Sequence, residues 1–126
     1  MEKLTVISVE PFTPGDESAS VTVSSGSHEI VAFCWPCSLS VGDIIENRLS
    51  ILDGNAVATY LADWPEDEKT ALSSEWIERT ENYSYRGRGR VIDESDGLVE
   101  VRGFVIDFGD ILGQGHVDFE INRLDI

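Results

Sequence analysis

Two cysteines stand three positions apart in Cys34-Trp35-Pro36-Cys37. Such a pair can cycle between thiols and a disulfide, or supply half of a zinc site. Redox chemistry of this type places the first thiol at a helix N-terminus, where the dipole stabilises the thiolate. Here Ser38-Leu39-Ser40-Val41-Gly42-Asp43 follows, which reads as a loop. Zinc needs two more ligands, and only His28 and His116 are on offer beside the pair. The expectation is two small, half-buried residues at a strand end, with no metal and no cofactor.

A second group is Arg86-Gly87-Arg88-Gly89-Arg90, preceded by Tyr83 and Tyr85. Cations that track phosphates beside aromatics that stack bases make a surface for single strands. Period-two alternation, however, puts the three arginines on one face and the tyrosines and glycines on the other. The small side of that strand implies close packing or a bend. With Arg102, these arginines are the candidate contacts for single-stranded nucleic acid or a small anionic ligand. The competing expectation is internal pairing. A turn at Asp93–Gly97 sets Arg90 beside Glu100 and Arg88 beside Arg102, while His116, Asp118 and Glu120 share the outward face of the last strand. Opposite charges across strands stabilise a sheet by roughly 0.2–1 kcal/mol each.

Neighbouring acids such as Asp107 and Asp110, or His116 with Asp118, offer general acid–base chemistry. With 24 acids in 126 residues such neighbours arise by chance. No nucleophile, base and orienting group come together, so no enzyme activity is expected.

The acids carry a different message. Against them stand 9 Lys and Arg, giving a formal net charge of −15. Duplex DNA and anionic membranes would repel such a chain. A basic protein would attract it, since complementary charge speeds encounter and sets specificity. Glu66, Asp67, Glu68, Glu75 and Glu78 are the candidate contacts. Trp35, beside Pro36 in a loop, is the candidate aromatic anchor, because interfaces favour Trp at their hot spots. Core packing is nonetheless the first expectation for Trp35, as it is for Trp64 and Trp76, because large aromatics dominate cores. The reading is an acidic, non-enzymatic interaction or inhibitory module of the kind an immunity protein represents.

These residues need elements to position them. Apolar and polar residues alternate over most of the chain, which is the strand period. Lys3–Glu10 is one strand, and residues 18–35 form a hairpin about Ser25-Gly26-Ser27. Asp43–Leu52 and Ala56–Leu61 form a second hairpin about Asp53-Gly54, a strong turn signal. Pro65 at a first helical position, with Glu66, Asp67 and Glu68 behind it, opens one helix over 65–80. Ala71, Leu72, Trp76 and Ile77 are its apolar stripe. Ser84–Ile92, Leu98–Phe108 and His116–Leu124 are strands, with a glycine-rich loop at Gly109–Gly115. About eight short strands with glycine turns and one inserted helix predict a single domain over 1–126. Its class is mainly β, a small barrel of OB-like or related Greek-key or meander type. The N-terminus lacks a basic stretch followed by an apolar run, and no segment approaches ~18 consecutive apolar residues. The expectation is a cytoplasmic protein with no membrane partner.

Overall fold

A computed structural model of the chain describes residues 3–60, 63–109, 111 and 115–126. Alternation becomes strand wherever one side of the chain can be buried. In β1 (Lys3–Pro11) Leu4 and Val6 point inward. In β2 (Ala19–Ser24) Ala19, Val21 and Val23 do so, and in β3 (Glu29–Cys34) Ile30, Ala32 and Cys34. The expected 18–35 hairpin is present, with Ala19 opposite Cys34 and Ser24 opposite Glu29.

The next stretch departs from expectation. Two strands, β4 (Ile44–Glu46) and β5 (Ser50–Ala58), replace the predicted hairpin. β4 pairs with β1, and β5 pairs with the last strand. The break falls at Asn47, which is buried. Its amide donates to the Gly103 carbonyl at 2.8 Å and accepts from the Val105 N–H at 3.0 Å. A buried side-chain amide must find such partners, and these pull the chain off β1 and across the molecule. Asp53-Gly54 is not a turn. It lies inside β5, where Asp53 takes a left-handed φ of 61° and Gly54 comes so close to the last strand that a Cβ would sit 2.7 Å from the Glu120 carbonyl oxygen. The tolerance for positive φ is spent on a kink within a long strand.

The helix is shorter than predicted. α1 covers only Glu66–Ala71, and β6 (Trp76–Glu81) follows after an irregular stretch. The spacing of Leu72, Trp76 and Ile77 resembles a helical stripe. Pairing of Trp76 with Arg88 and of Ile77 with Gly87 on β7 (Ser84–Asp93) prevails. Trp35 is 64% exposed, and Trp64 and Trp76 remain more than a third exposed, so none of the three is the core residue expected. The predicted strand over Leu98–Phe108 is a hairpin, β8 (Leu98–Val101) and β9 (Phe104–Asp107). Arg102 and Gly103 between them have φ of 51° and 85°, the positive values a two-residue hairpin turn demands. The last strand, β10 (His116–Asp125), buries Val117, Phe119 and Ile121 as expected. Residues 110 and 112–114 of the predicted glycine loop, and Leu61 of the predicted returning strand, lie outside the described residues.

Ten strands among the described residues make one sheet in the order β4-β1-β2-β3-β10-β7-β8-β9. β5 adds to β10, and β6 adds to β7. The fold is mainly β. The sheet is not closed into a barrel, and the strands number ten rather than eight. β10 is the spine. β5 runs along one edge of it, while β7 and then the end of β3 occupy the other. The inward residues form one main apolar cluster, which includes Phe104, Phe119, Leu4, Leu49 and Leu124.

Candidate functional site

The arginine strand lies in the middle of its sheet region, with β10 on one side and β6, then β8, on the other. Its outer face is a grid of opposite charges. Arg86 donates to Glu78 at 3.0 Å and stands opposite Glu120 on β10. Arg88 donates to Asp118 at 2.7 Å, and the Thr59 hydroxyl donates to the same oxygen at 2.9 Å. Arg90 donates to Glu100 at 3.0 Å and stands opposite His116. Three arginines thus sit among four carboxylates. The Arg90–Glu100 pair is where the turn at Asp93–Gly97 put it. Arg88 does not meet Arg102, because β8 ends at Val101 and β6 takes the place beside Arg88.

The grid is reflected in its titrations. Burial alone would raise the Asp118 carboxyl, but the hydrogen bonds from Arg88 and Thr59 outweigh it and hold it below the usual range. Burial lowers His116 below its ordinary value. Glu75 opposes this, and Arg90 and Arg88 reinforce it. The His116 ring meets Tyr60 Oη at 3.0 Å through Nδ1 and Glu75 at 3.9 Å through Nε2.

Beneath the arginines the strand has no side chains to spare. A Cβ on Gly87 would collide with the Trp76 carbonyl oxygen and come within 2.8 Å of the Phe119 ring. One on Gly89 would meet Val99 at 2.5 Å. Tyr85 is buried on this inner side, and its hydroxyl both accepts from the Val31 N–H and donates to the Val31 carbonyl, each at 2.8 Å. Tyr83 precedes the strand and leaves it. Its hydroxyl meets Ser20 Oγ at 2.5 Å.

Tyr83 belongs to a second region at the far end of β10. Its ring stacks on Phe12 at 6.4 Å and meets Phe33 edge-on at 5.6 Å, and Phe12 and Phe33 are 5.8 Å apart. Arg123 lies over the Phe33 ring at 4.3 Å while its Nε and one terminal nitrogen donate to the two Asp125 carboxylate oxygens at 2.8 and 2.9 Å. Trp35 follows Phe33 by two residues and is 64% exposed, and Phe12 is 52% exposed. The loop that carries Phe12 folds back beside this end, with the Phe12 N–H on the Ser18 carbonyl and the Cys37 N–H on the Glu17 carbonyl. Glu10, Asp16 and Glu17 are exposed around it. The residue pattern points to Trp35 but not to Phe12 or these acids. The signal available was an aromatic residue set among turn formers in Pro11-Phe12-Thr13-Pro14-Gly15.

The acidic contacts predicted with Trp35 do not surround it. Glu66, Asp67 and Glu68 are exposed on α1. Lys69 of that helix lies over the Tyr60 ring, and Tyr60 and Glu75 adjoin His116 at the start of β10. Trp35 adjoins the end of β10, where Asp125 faces Phe33. Nine residue steps along β10 separate these ends by about 30 Å. Glu78 lies between, paired with Arg86. Arg102 sits apart from the other arginines at the β8–β9 turn, lining a cleft of about 540 Å³ with Ser27, His28, Ser74, Glu75 and Gly103.

Cys34 is buried, Cys37 is half-buried, and both are free thiols. Burial, then a hydrogen bond with Cys37, pushes the Cys34 thiol up to about 12. Asp107 is held low by its hydrogen bond from Arg48, at 2.8 Å, and so has a structural partner. Asp110, its proposed acid–base neighbour, lies outside the described residues. Among the described residues no three His, Cys, Asp or Glu side chains gather as a metal site, and no helix is long and apolar enough to cross a membrane. Compared with models of known protein families, with curated proteins and with solved structures, the chain finds no match in any of the three.

Proposed function

We propose that this chain is a non-enzymatic binding module for a basic protein, inhibiting it in the manner of an immunity protein. The observation that carries the reading is the division of its surface. Arg86, Arg88 and Arg90 are engaged by the chain's own carboxylates, while Trp35 and Phe12 stand exposed beside Glu10, Asp16 and Glu17. Trp is enriched among interface hot spots, and exposed acids on the neighbouring strand end and loop favour a cationic partner. Arg123 stacked on Phe33 is an internal example of the contact a partner's arginine would make. Glu66, Asp67, Glu68, Glu75 and Glu78 contribute at longer range, through the field of a chain with net charge −15. A barrel-like curl of OB or Greek-key type is part of the proposal. Its support is the parallel bridge of Leu49 to Ile106, which brings the chain entering β5 back against β9.

The alternative, single-stranded nucleic acid or a small anion on Arg86, Arg88, Arg90 and Arg102, has less support. A phosphate would have to displace a bound carboxylate at each of the first three.

The test is affinity capture from native lysate at low and high salt, with and without nuclease, followed by association kinetics with the captured protein. The proposal expects one basic protein, retained after nuclease, whose association slows as ionic strength rises. Material lost on nuclease treatment, or a rate indifferent to salt, would contradict it.

A further inference from the structure

We propose that Cys34 and Cys37 are a modification site, closed into a reversible intramolecular disulfide by exchange with a low-molecular-weight disulfide such as oxidised glutathione. The backbone brings the two thiols to one place. Cys34 ends β3 opposite Ala19, and the Cys37 N–H donates at 2.7 Å to the carbonyl of Glu17, two residues before Ala19. The same short segment therefore holds both cysteines, and the two residues between them are displaced outward. Trp35 and Pro36 are exposed, whereas Cys34 lies within the main apolar cluster and Cys37 packs against it. Both side chains thus pack on the same apolar cluster from one short stretch of backbone.

Their surroundings fix the order of events. Cys37 is the more accessible, so its thiolate attacks one sulfur of the glutathione disulfide, and a glutathione thiolate leaves. Cys34 then loses its proton to solvent and attacks the Cys37 sulfur, expelling the second glutathione thiolate. Two protein thiols are oxidised by two electrons, and one glutathione disulfide becomes two glutathione thiols. Burial, contact with Cys37 and the Asp125 charge disfavour the Cys34 thiolate beforehand. The first step removes the Cys37 hydrogen bond and charge, which eases the second.

The full chain is incubated in mildly alkaline glutathione buffers over a range of oxidised-to-reduced ratios, quenched in acid, treated with a maleimide and weighed intact. The expected product is lighter by two hydrogens, carries neither glutathione nor maleimide, and regains two maleimides after dithiothreitol. Cys34→Ser is expected to stop at a glutathione adduct on Cys37, and Cys37→Ser to give no such product. A wild-type chain that accumulates the glutathione adduct, or keeps two alkylatable thiols in the most oxidising buffer, would overturn the proposal.

Discussion

The two ends of β10 use charge in opposite ways. Along its first half, cations and anions alternate across four strands and satisfy one another. Arg88 is mostly covered and donates to a carboxylate that Thr59 also holds. At the far end, Arg123 is again paired with an acid, but it lies on Phe33 in an aromatic cluster whose outer member, Phe12, faces solvent, as does Trp35 two residues after Phe33. Both regions contain cations and aromatics. Counting residue types therefore does not distinguish a face whose groups satisfy one another from one that leaves groups open to solvent. What distinguishes them is whether each group's partner is already in the chain.

Several substitutions would break or sharpen this contrast. The largest effect is expected beneath the arginine face. Gly87→Val would force atoms into the Trp76 backbone and the Phe119 ring, and should cost about 3 kcal/mol, read as a fall in the thermal midpoint. Tyr85→Phe comes next. It strands the N–H and carbonyl of Val31 and should cost about 2 kcal/mol in denaturant unfolding. Arg88→Ala should cost about 1 kcal/mol, because its partner Asp118 is nearly half exposed and screened by water.

The smallest effect is in acid. His116 is held below its ordinary value of 6.5, so the unfolded chain takes up a proton there more readily than the folded one. Its contribution is complete above 6.5 and is lost as pH falls through the lower folded value. Asp118, held below 3.8, adds a second loss at more acid pH. Stability should therefore decline in two stages on acidification. In Arg88→Ala the His116 titration, followed by NMR, should move up, since Arg88 helps to hold it down. An unmoved titration would show that the grid is not electrically coupled.

Much of this contrast was legible in the residues. Alternation located the 19–34 hairpin and the inner face of β10, and counting back from the Asp93–Gly97 turn placed Arg90 beside Glu100. The misreadings share a cause. Asn47, Asp53-Gly54 and Arg102-Gly103 each alter the path of the chain through a contact with a distant strand, which a local pattern does not contain. The residue pattern extends the helix to residue 80 because Trp76 and Ile77 suit a helical stripe and a strand equally well until β7 is beside them. The acidic contacts looked like one site because they were grouped by charge. Ten residues of β10 place most of them far from Trp35, while the loop that carries Phe12, Asp16 and Glu17 is tied by a backbone hydrogen bond to Cys37, two residues after it.

The proposed binding runs through the aromatic end and not through the arginines. The most direct measurement compares the affinity of the captured basic partner for the wild-type chain, Trp35→Ala and Arg86→Gln. Both substitutions are at exposed positions and should leave stability within about 0.5 kcal/mol. The account predicts that Trp35→Ala weakens binding by roughly 30-fold or more, as removal of a hot spot does, while Arg86→Gln leaves it unchanged. Loss of binding in Arg86→Gln with Trp35→Ala unaffected would contradict it and return the arginine strand to the centre of the function.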